Sequence, residues 1–171
     1  MEKPKGKVIL LCGKVCAGKT TYSKILTELG NAVALSVDDI MLAFFPRPIN
    51  SAYDLVYSVV QNYLHARAVD IVNAGVNVIF EGEAWTRNQR ERHKAFFRNR
   101  GITIEMHYLS ISDMTWFEHI KMRNAMKNDY DYFVDDELRN KCIDIFEIPE
   151  QSEYEIIIDM DKIDISEQCI L

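Results

Sequence analysis

The chain predicts an α/β fold, a three-layer sandwich built on a five-stranded, mainly parallel sheet. Three observations carry that expectation. Short runs rich in Val, Ile and Leu recur at 7–12, 32–36, 76–80, 102–109 and 154–158, each the length of a buried strand. Segments with helical spacing lie between them, so strand and helix alternate along the chain. At 13–20 the sequence GKVCAGKT joins the first apolar run to the first helical one through a glycine-bounded loop. With 171 residues, no internal repeat and no long linker, one domain over 1–171 is expected.

The elements follow in order. The first strand covers 7–12 and the first helix 19–29, where Tyr22, Ile25, Leu26 and Leu29 share a face and Gly30 stands where a helix stops. Ala32 to Ser36 is a short second strand, ending at Val37-Asp38-Asp39, and the PRP at 46–48 is a break. The pattern is helical from Ala52 to Ala74, and Gly75 ends it. Val76 to Phe80 is a buried strand that ends at Glu81-Gly82. Thr86 with Gln89 makes a capping box for a helix running to Gly101, and Ile102 to Leu109 is the next strand. Ser112 caps a helix from Asp113 to about Ala125. Residues 126–134 (MKNDYDYFV) have no clear period, Asp135 to Phe146 is helical, and Tyr154 to Ile158 is the last strand, closed by Asp159.

Composition narrows the function classes. Apolar residues make up 48% and charged residues 27%, as in soluble globular chains. No run approaches the roughly 18 apolar residues of a membrane span. The opening MEKPKGK runs into a strand rather than a signal-peptide core, so a cytoplasmic protein is expected. The cysteines at 12, 16, 142 and 169 contain no second close pair to complete a zinc site. A disulfide between Cys12 and Cys16 would distort the loop they flank, so reduced thiols are expected, with a redox-sensitive thiol at Cys16 as the alternative. The net charge of −6 is unevenly spread: residues 128–171 hold fourteen Asp or Glu against three Lys or Arg, leaving +5 for residues 1–127. A mildly cationic first part suits a site for a polyphosphate, while the acidic remainder opposes attachment to a long polyanion. A nucleic-acid partner is left open and not favoured.

The loop carries the sharpest chemical signal. Gly13 to Thr20 fits the nucleotide-binding pattern G-x-x-x-x-G-K-[ST], set between a strand and a helix. Gly13 and Gly18 permit close approaches that a side chain would block. Lys14, Val15, Cys16 and Ala17 then offer backbone N–H groups to phosphate oxygens, and the helix start at Lys19, Thr20 and Thr21 adds partial positive charge. Lys19 is placed to reach the β- and γ-phosphates of ATP, and the Thr20 hydroxyl to ligand Mg²⁺.

Further candidates lie at the carboxyl ends of the other strands, where ligands bind in such sheets. Asp38 and Asp39 end a strand expected to neighbour the loop's own strand. One of the pair could accept a proton from an attacking hydroxyl, with Asp38 preferred, and the other could hold a water of the Mg²⁺ shell. The plain alternative is a helix cap before IMLAFF. Glu81 stands where an acid beside the metal is common. Asp159 reads as a surface carboxylate. Arg87 and Arg90 could meet a substrate phosphate or carboxylate, and Trp85 could stack on a substrate ring, although solvated charge and core packing are the plain readings. Arg123, with Lys127 and the segment that follows, has the character of a lid over ATP at about 123–134, and an arginine there stabilises the transferring phosphoryl group. His65, His93, His107 and His119 lack metal-ligand spacing and read as structural.

With GKVCAGKTTYSK, SVDDIM, VIFEGEAWTRNQRERHKAFFRNRG and HIKMRNAM in that order, the chain resembles the small P-loop kinases of the branch that contains polynucleotide 5′-kinases, chloramphenicol phosphotransferase and zeta toxins. Within that branch it is most similar to bacterial AAA-type ATP-binding proteins. The resemblance implies a P-loop NTPase fold of nucleotide-kinase type, ATP and Mg²⁺, Lys19 as the phosphate-loop lysine, Asp38 as the base and Arg123 as the lid arginine. Two positions depart from the pattern. Polynucleotide kinases carry Arg three residues after the base, where this chain has Met41, with Arg47 the nearest substitute. The acid after the third strand is commonly Asp and here is Glu81. The expectation is a phosphotransferase moving the γ-phosphate of ATP to a hydroxyl of a small molecule. The alternatives are a polynucleotide 5′-hydroxyl kinase and a nucleotide-binding ATPase or sensor module.

Overall fold

A computed structural model describes residues 5–45, 50–126 and 133–163. Five strands, β1 Val8–Cys12, β2 Ala32–Ser36, β3 Asn77–Glu81, β4 Ile104–Ser110 and β5 Ile156–Asp159, form one sheet in the order β2-β3-β1-β4-β5. Every strand pair is parallel, with Val8 opposite Val78 on one side and Ile104 on the other. The helices are α1 Lys19–Glu28, α2 Val37–Phe44, α3 Tyr53–Asn73, α4 Arg87–Arg98, α5 Asp113–Ala125 and α6 Asp136–Ile145.

All five residues of β1 are buried, so the strand shows no polar alternation. The pleat splits its side chains between two faces. Val8, Leu10 and Cys12 pack with Val37 and Met41 of α2, with Tyr57, Leu64, Ala68 and Val72 of α3, and with Phe97 of α4. Ile9 and Leu11 pack on the other face with Tyr22 and Leu26 of α1 and with Met160. Helices therefore cover both faces, and the three-layer expectation holds. A third cluster, Trp116 and Ile120 of α5 with Val134 and Cys142, lies against Val15, Cys16 and Trp85.

Two local expectations are corrected. The second strand does not neighbour the loop's strand, because β3 lies between β2 and β1. Asp38 and Asp39 therefore stand two strands from the loop's origin. Nor is either residue the helix cap. The cap is Ser36, whose Oγ accepts the Asp39 N–H at 3.1 Å, so both aspartates occupy the first turn of α2. A Ser cap with acids in the first turn is favourable at a positive helix end, and Ser36, the last residue of β2, serves both elements.

Buried polar groups hold the carboxyl end of β3 in place. Arg90 of α4 is almost wholly buried and meets Glu153 through two bonds, Nε to Oε2 at 2.8 Å and Nη2 to Oε1 at 3.1 Å. Its Nη1 donates to the carbonyls of Trp85 at 3.1 Å and Glu147 at 2.9 Å. Arg90 is thus a structural clamp, whereas Arg87 is an exposed partner of Glu150. His93 Nε2–H donates to the Glu83 carbonyl at 2.8 Å, which leaves Nδ1 to accept from His65 Nε2 at 2.8 Å. His65 stacks between Phe80 and Phe96. Burial pushes the pKa of His65 down to about 3 and that of His93 to about 4, so both are neutral. Asp159 accepts from the Asp161 amide and pairs with Lys162 at the surface.

Candidate active site

The loop from Gly13 to Gly18 connects β1 to α1. A Cβ on Gly13 would lie 3.2 Å from the Leu109 carbonyl oxygen, and one on Gly18 would lie 2.7 Å from the Met160 side chain. Gly18 takes φ 89°, the left-handed region that glycine adopts without strain, and Cys16 takes φ 58°. The loop carbonyls face α5: Trp116 Nε1 donates to Val15 O at 2.6 Å, and His119 Nδ1 bonds Cys16 O at 3.1 Å. A trans peptide sets N–H opposite C=O, so the Cys16 amide points away from α5. Ala17 N–H closes a turn on Lys14 O at 3.2 Å. Lys14 itself turns outward, pairing with Asp113 at 2.7 Å above the Trp116 ring.

Lys19 Nζ lies over the loop, donating to Gly13 O at 3.0 Å and Lys14 O at 2.9 Å. Thr20 Oγ1 donates to Glu81 Oε2 at 3.3 Å, which brings the first turn of α1 to the end of β3. The Glu81 carboxylate is buried, and burial raises its pKa. Ser23, Lys19 and Thr20 favour its charged form and Asp39 opposes it. Ser23 Oγ is buried beside it without a well-formed hydrogen bond. Thr21 is half-buried in the same helical turn.

Asp38 touches solvent, yet the protein packed around its carboxyl displaces enough water to raise its pKa above the ordinary carboxylate range. Lys19 and Arg123 pull that pKa down, and Asp39 pushes it up. Arg123, in the last turn of α5, directs Nη1 to Cys16 Sγ at 3.5 Å. Lys19, Asp38 and Arg123 are thus brought together although 104 positions separate the first from the last. Lys127 and most of the expected lid, and Arg47, lie outside the described residues.

Sequence reasoning missed part of the surroundings. Tyr57 is buried on α3, and its hydroxyl feels Asp38, Glu83 and Tyr53 after the dominant effect of burial. Glu83 in turn feels Asp54, Lys141, Arg92 and Asp38. Tyr57 sits inside an ordinary helical pattern, so no periodicity marks it. Trp85 packs its ring against the α5–α6 cluster and is no free stacking platform. Met41 is fully buried in the main core.

The oxygen donors fit a hard cation. Thr20 hydroxyl meets Glu81 carboxylate, and the charge of Asp39 is felt there. Among the described residues no group of three or more His, Cys, Asp or Glu could hold a metal ion. A few side chains completed by phosphate oxygens and water are what Mg²⁺ ordinarily takes.

A family model described as an AAA domain matches residues 8–147. No curated protein sequence matches the chain. Solved structures share the fold. A Chloroflexus aurantiacus protein, described only provisionally as a kinase, superposes with TM-score 0.72 at 18% identity over 96% of this chain and 92% of its own. The Pnkp1/Rnl/Hen1 RNA repair complex contains a chain at TM-score 0.69 and 15% identity, over 82% of this chain and 43% of that one. The Mycobacterium tuberculosis APS kinase CysC, solved with AMPPNP and APS, gives TM-score 0.62 at 14% identity over 96% and 94%. With its phosphate loop, parallel strand order and family match taken together, the chain belongs to the AAA-domain family and has a P-loop kinase-like fold.

Proposed function

We propose that the protein is an ATP-dependent phosphotransferase that moves the γ-phosphate of ATP to a hydroxyl of a small-molecule acceptor. The observation that carries this reading is the electrostatic tie of Asp38 to both Lys19 and Arg123. A proton acceptor, a phosphate-loop lysine and an arginine opposite it are the three parts that hydroxyl phosphorylation needs. The loop amides and Lys19 hold the β- and γ-phosphates. Thr20, Asp39 and Glu81 would hold Mg²⁺, directly or through its waters, and bound there it would offset the charge of the phosphates. Asp38 accepts the proton of the attacking hydroxyl, and Arg123 covers the charge that develops on the transferring group. The acceptor lies between Asp38, Tyr57 and Glu83. A cytoplasmic setting belongs to the same reading.

A small acceptor is favoured over a polynucleotide end for a physical reason. Met41, at the position of the acceptor-side arginine, is buried in the core and presents no charge. Arg90 is engaged with Glu153 and Arg87 with Glu150. Lys141 and Arg92 act on Glu83, which is itself anionic.

The test is incubation with γ-labelled ATP, Mg²⁺ and pooled nucleosides, sugars, aminoglycosides, chloramphenicol and 5′-hydroxyl oligonucleotides. Label is expected on a small acceptor, lost in Lys19→Ala. Asp38→Asn is expected to keep ATP binding and lose transfer. Phosphate release without a labelled acceptor, or transfer that survives Asp38→Asn, would overturn the assignment.

A further inference from the structure

The phosphate loop carries a thiol that nucleotide chemistry does not use, and it packs against the cluster that holds a second one. Cys16 is half-buried in the loop at positive φ, and the Arg123 guanidinium lies 3.5 Å from its sulfur. The thiolate is the form of a cysteine that attacks peroxides and disulfides. Cys142 of α6 is fully buried in the cluster of Trp116, Ile120 and Val134, and Val15 and Cys16 pack against that cluster. The Val15 amide and the Cys16 sulfur are among the groups that the Cys142 thiol feels. Two sulfurs, one half-buried in the loop and one fully buried, thus belong to the packing of the loop against the α5–α6 cluster. Cys12 is different: its thiol is buried, donates to the Ala84 carbonyl at 3.3 Å, and has its pKa pushed up to about 11.

We propose that Cys16 and Cys142 are a modification site: a hydroperoxide oxidises Cys16, and Cys142 resolves it into a disulfide that fastens the phosphate loop to α6. The balance is simple. The Cys16 thiolate attacks one peroxide oxygen, the O–O bond breaks, and the departing hydroxide takes up a proton as water. Cys142 sulfur then attacks the sulfenic sulfur; the S–S bond forms, the S–O bond breaks, and the hydroxyl leaves with the thiol proton as a second water. Two thiols lose two electrons and the peroxide gains them. Cys142 is fully buried and Cys16 only half-buried, so the peroxide reaches Cys16 first, which fixes the order of attack. A loop that must wrap phosphate with its own amides loses that freedom once residue 16 is tied outward, so nucleotide affinity falls. This last consequence rests on the ATP reading above; the disulfide itself does not.

The sequence makes the test direct. Trypsin places the four cysteines in separate peptides, 8–14, 15–19, 142–162 and 163–171. The full chain is treated with graded hydrogen peroxide, alkylated, digested and mapped by mass spectrometry. Binding of a fluorescent ATP analogue is followed before oxidation, after it, and after dithiothreitol. A 15–19 to 142–162 cross-link is expected as the main product. Affinity should fall at least tenfold and recover on reduction, and Cys142→Ala should not show the reversible loss. A different pairing, both thiols still alkylatable at peroxide levels that oxidise Cys169, or a 16–142 link with unchanged affinity overturns the proposal. If the reduced protein does not bind the analogue, the ATP reading fails while the peptide map still decides the disulfide.

Discussion

Asp38 shows how one carboxyl is tuned by its neighbours. In the proposed role of proton acceptor it works only when ionised, so the transfer rate is expected to fall as pH drops through its pKa. Burial raises that pKa; Lys19 and Arg123 lower it, and Asp39 raises it. The signs give two opposite expectations. In Arg123→Ala a lowering charge is lost, so the acidic limb of kcat moves to higher pH, and kcat falls by roughly 10²–10³. In Asp39→Asn a raising charge is lost, so the limb moves to lower pH. A pH series of kcat on the three proteins checks both, and limbs that move together would remove Asp38 from the role of base. The sequence made Lys19, Thr20 and the loop legible because the motif is local and each fixed position has a local reason. Asp38 was legible by position alone, whereas its coupling to Arg123 depends on α5 crossing the loop, which no spacing encodes.

At the scale of elements, α4 separates two arginines that look alike in sequence. Arg87 is exposed and its pair with Glu150 is a surface one, so Arg87→Ala should change stability by less than about 0.5 kcal/mol. Arg90 is buried, and its removal leaves Glu153 charged in the interior and frees the Trp85 and Glu147 carbonyls. Arg90→Met should cost about 3–5 kcal/mol in urea unfolding, because one partner of a buried pair is left uncompensated. Equal midpoints for the two variants would mean that the clamp carries no weight. The His65–His93 pair gives α3 and α4 a dependence on pH. Unfolded histidine titrates near about 6.5, and the folded pair at about 3 and about 4. The unfolded chain therefore binds more protons in that window, and stability is lost as pH falls from about 6.5 toward 4, at up to about 1.4 kcal/mol per pH unit per histidine. His65→Phe should lower that slope by about one proton, with His93 and His107 retaining the rest, as chemical unfolding between pH 7 and 4.5 would read. The alternation of strand and helix, the Thr86–Gln89 box and the Ser112 cap were all legible, because capping and periodicity are local. The first turn of α2 was not: Ser36 ends a strand and caps a helix at once, and the aspartates after it mimic a cap.

For the whole molecule, charge and strand order decide which partner can approach. The sheet order puts the loop of β1 between β3 and β4; α2 and α3 pack on the core beneath it, and α5 and α6 pack against Val15 and Cys16 of the loop and Trp85 after β3. Parallel pairing was legible from the unbroken apolar strands; the position of β2 was not, since chain order does not fix which neighbour a strand takes. Residues 128–171, with a balance of −11, supply α6 and the approach to β5, so one wall of the site belongs to the acidic part of the chain. A strand of nucleic acid entering there would meet Glu83, Asp54 and Asp38, with Lys141 and Arg92 acting on Glu83 and Lys19 and Arg123 on Asp38. Polyanion binding draws its affinity from cations that release counterions, and its strength falls steeply with salt. A 5′-hydroxyl single-stranded oligonucleotide is therefore expected to give no retarded band at about 150 mM salt, near the physiological ionic strength. It is also expected to take no label from γ-labelled ATP under conditions where a small hydroxyl acceptor does. A band that strengthens steeply as salt is lowered, together with label on the 5′ end, would shift the assignment to a polynucleotide kinase. It would also mean that the cations holding the strand lie outside the wall formed by α3, α4 and α6.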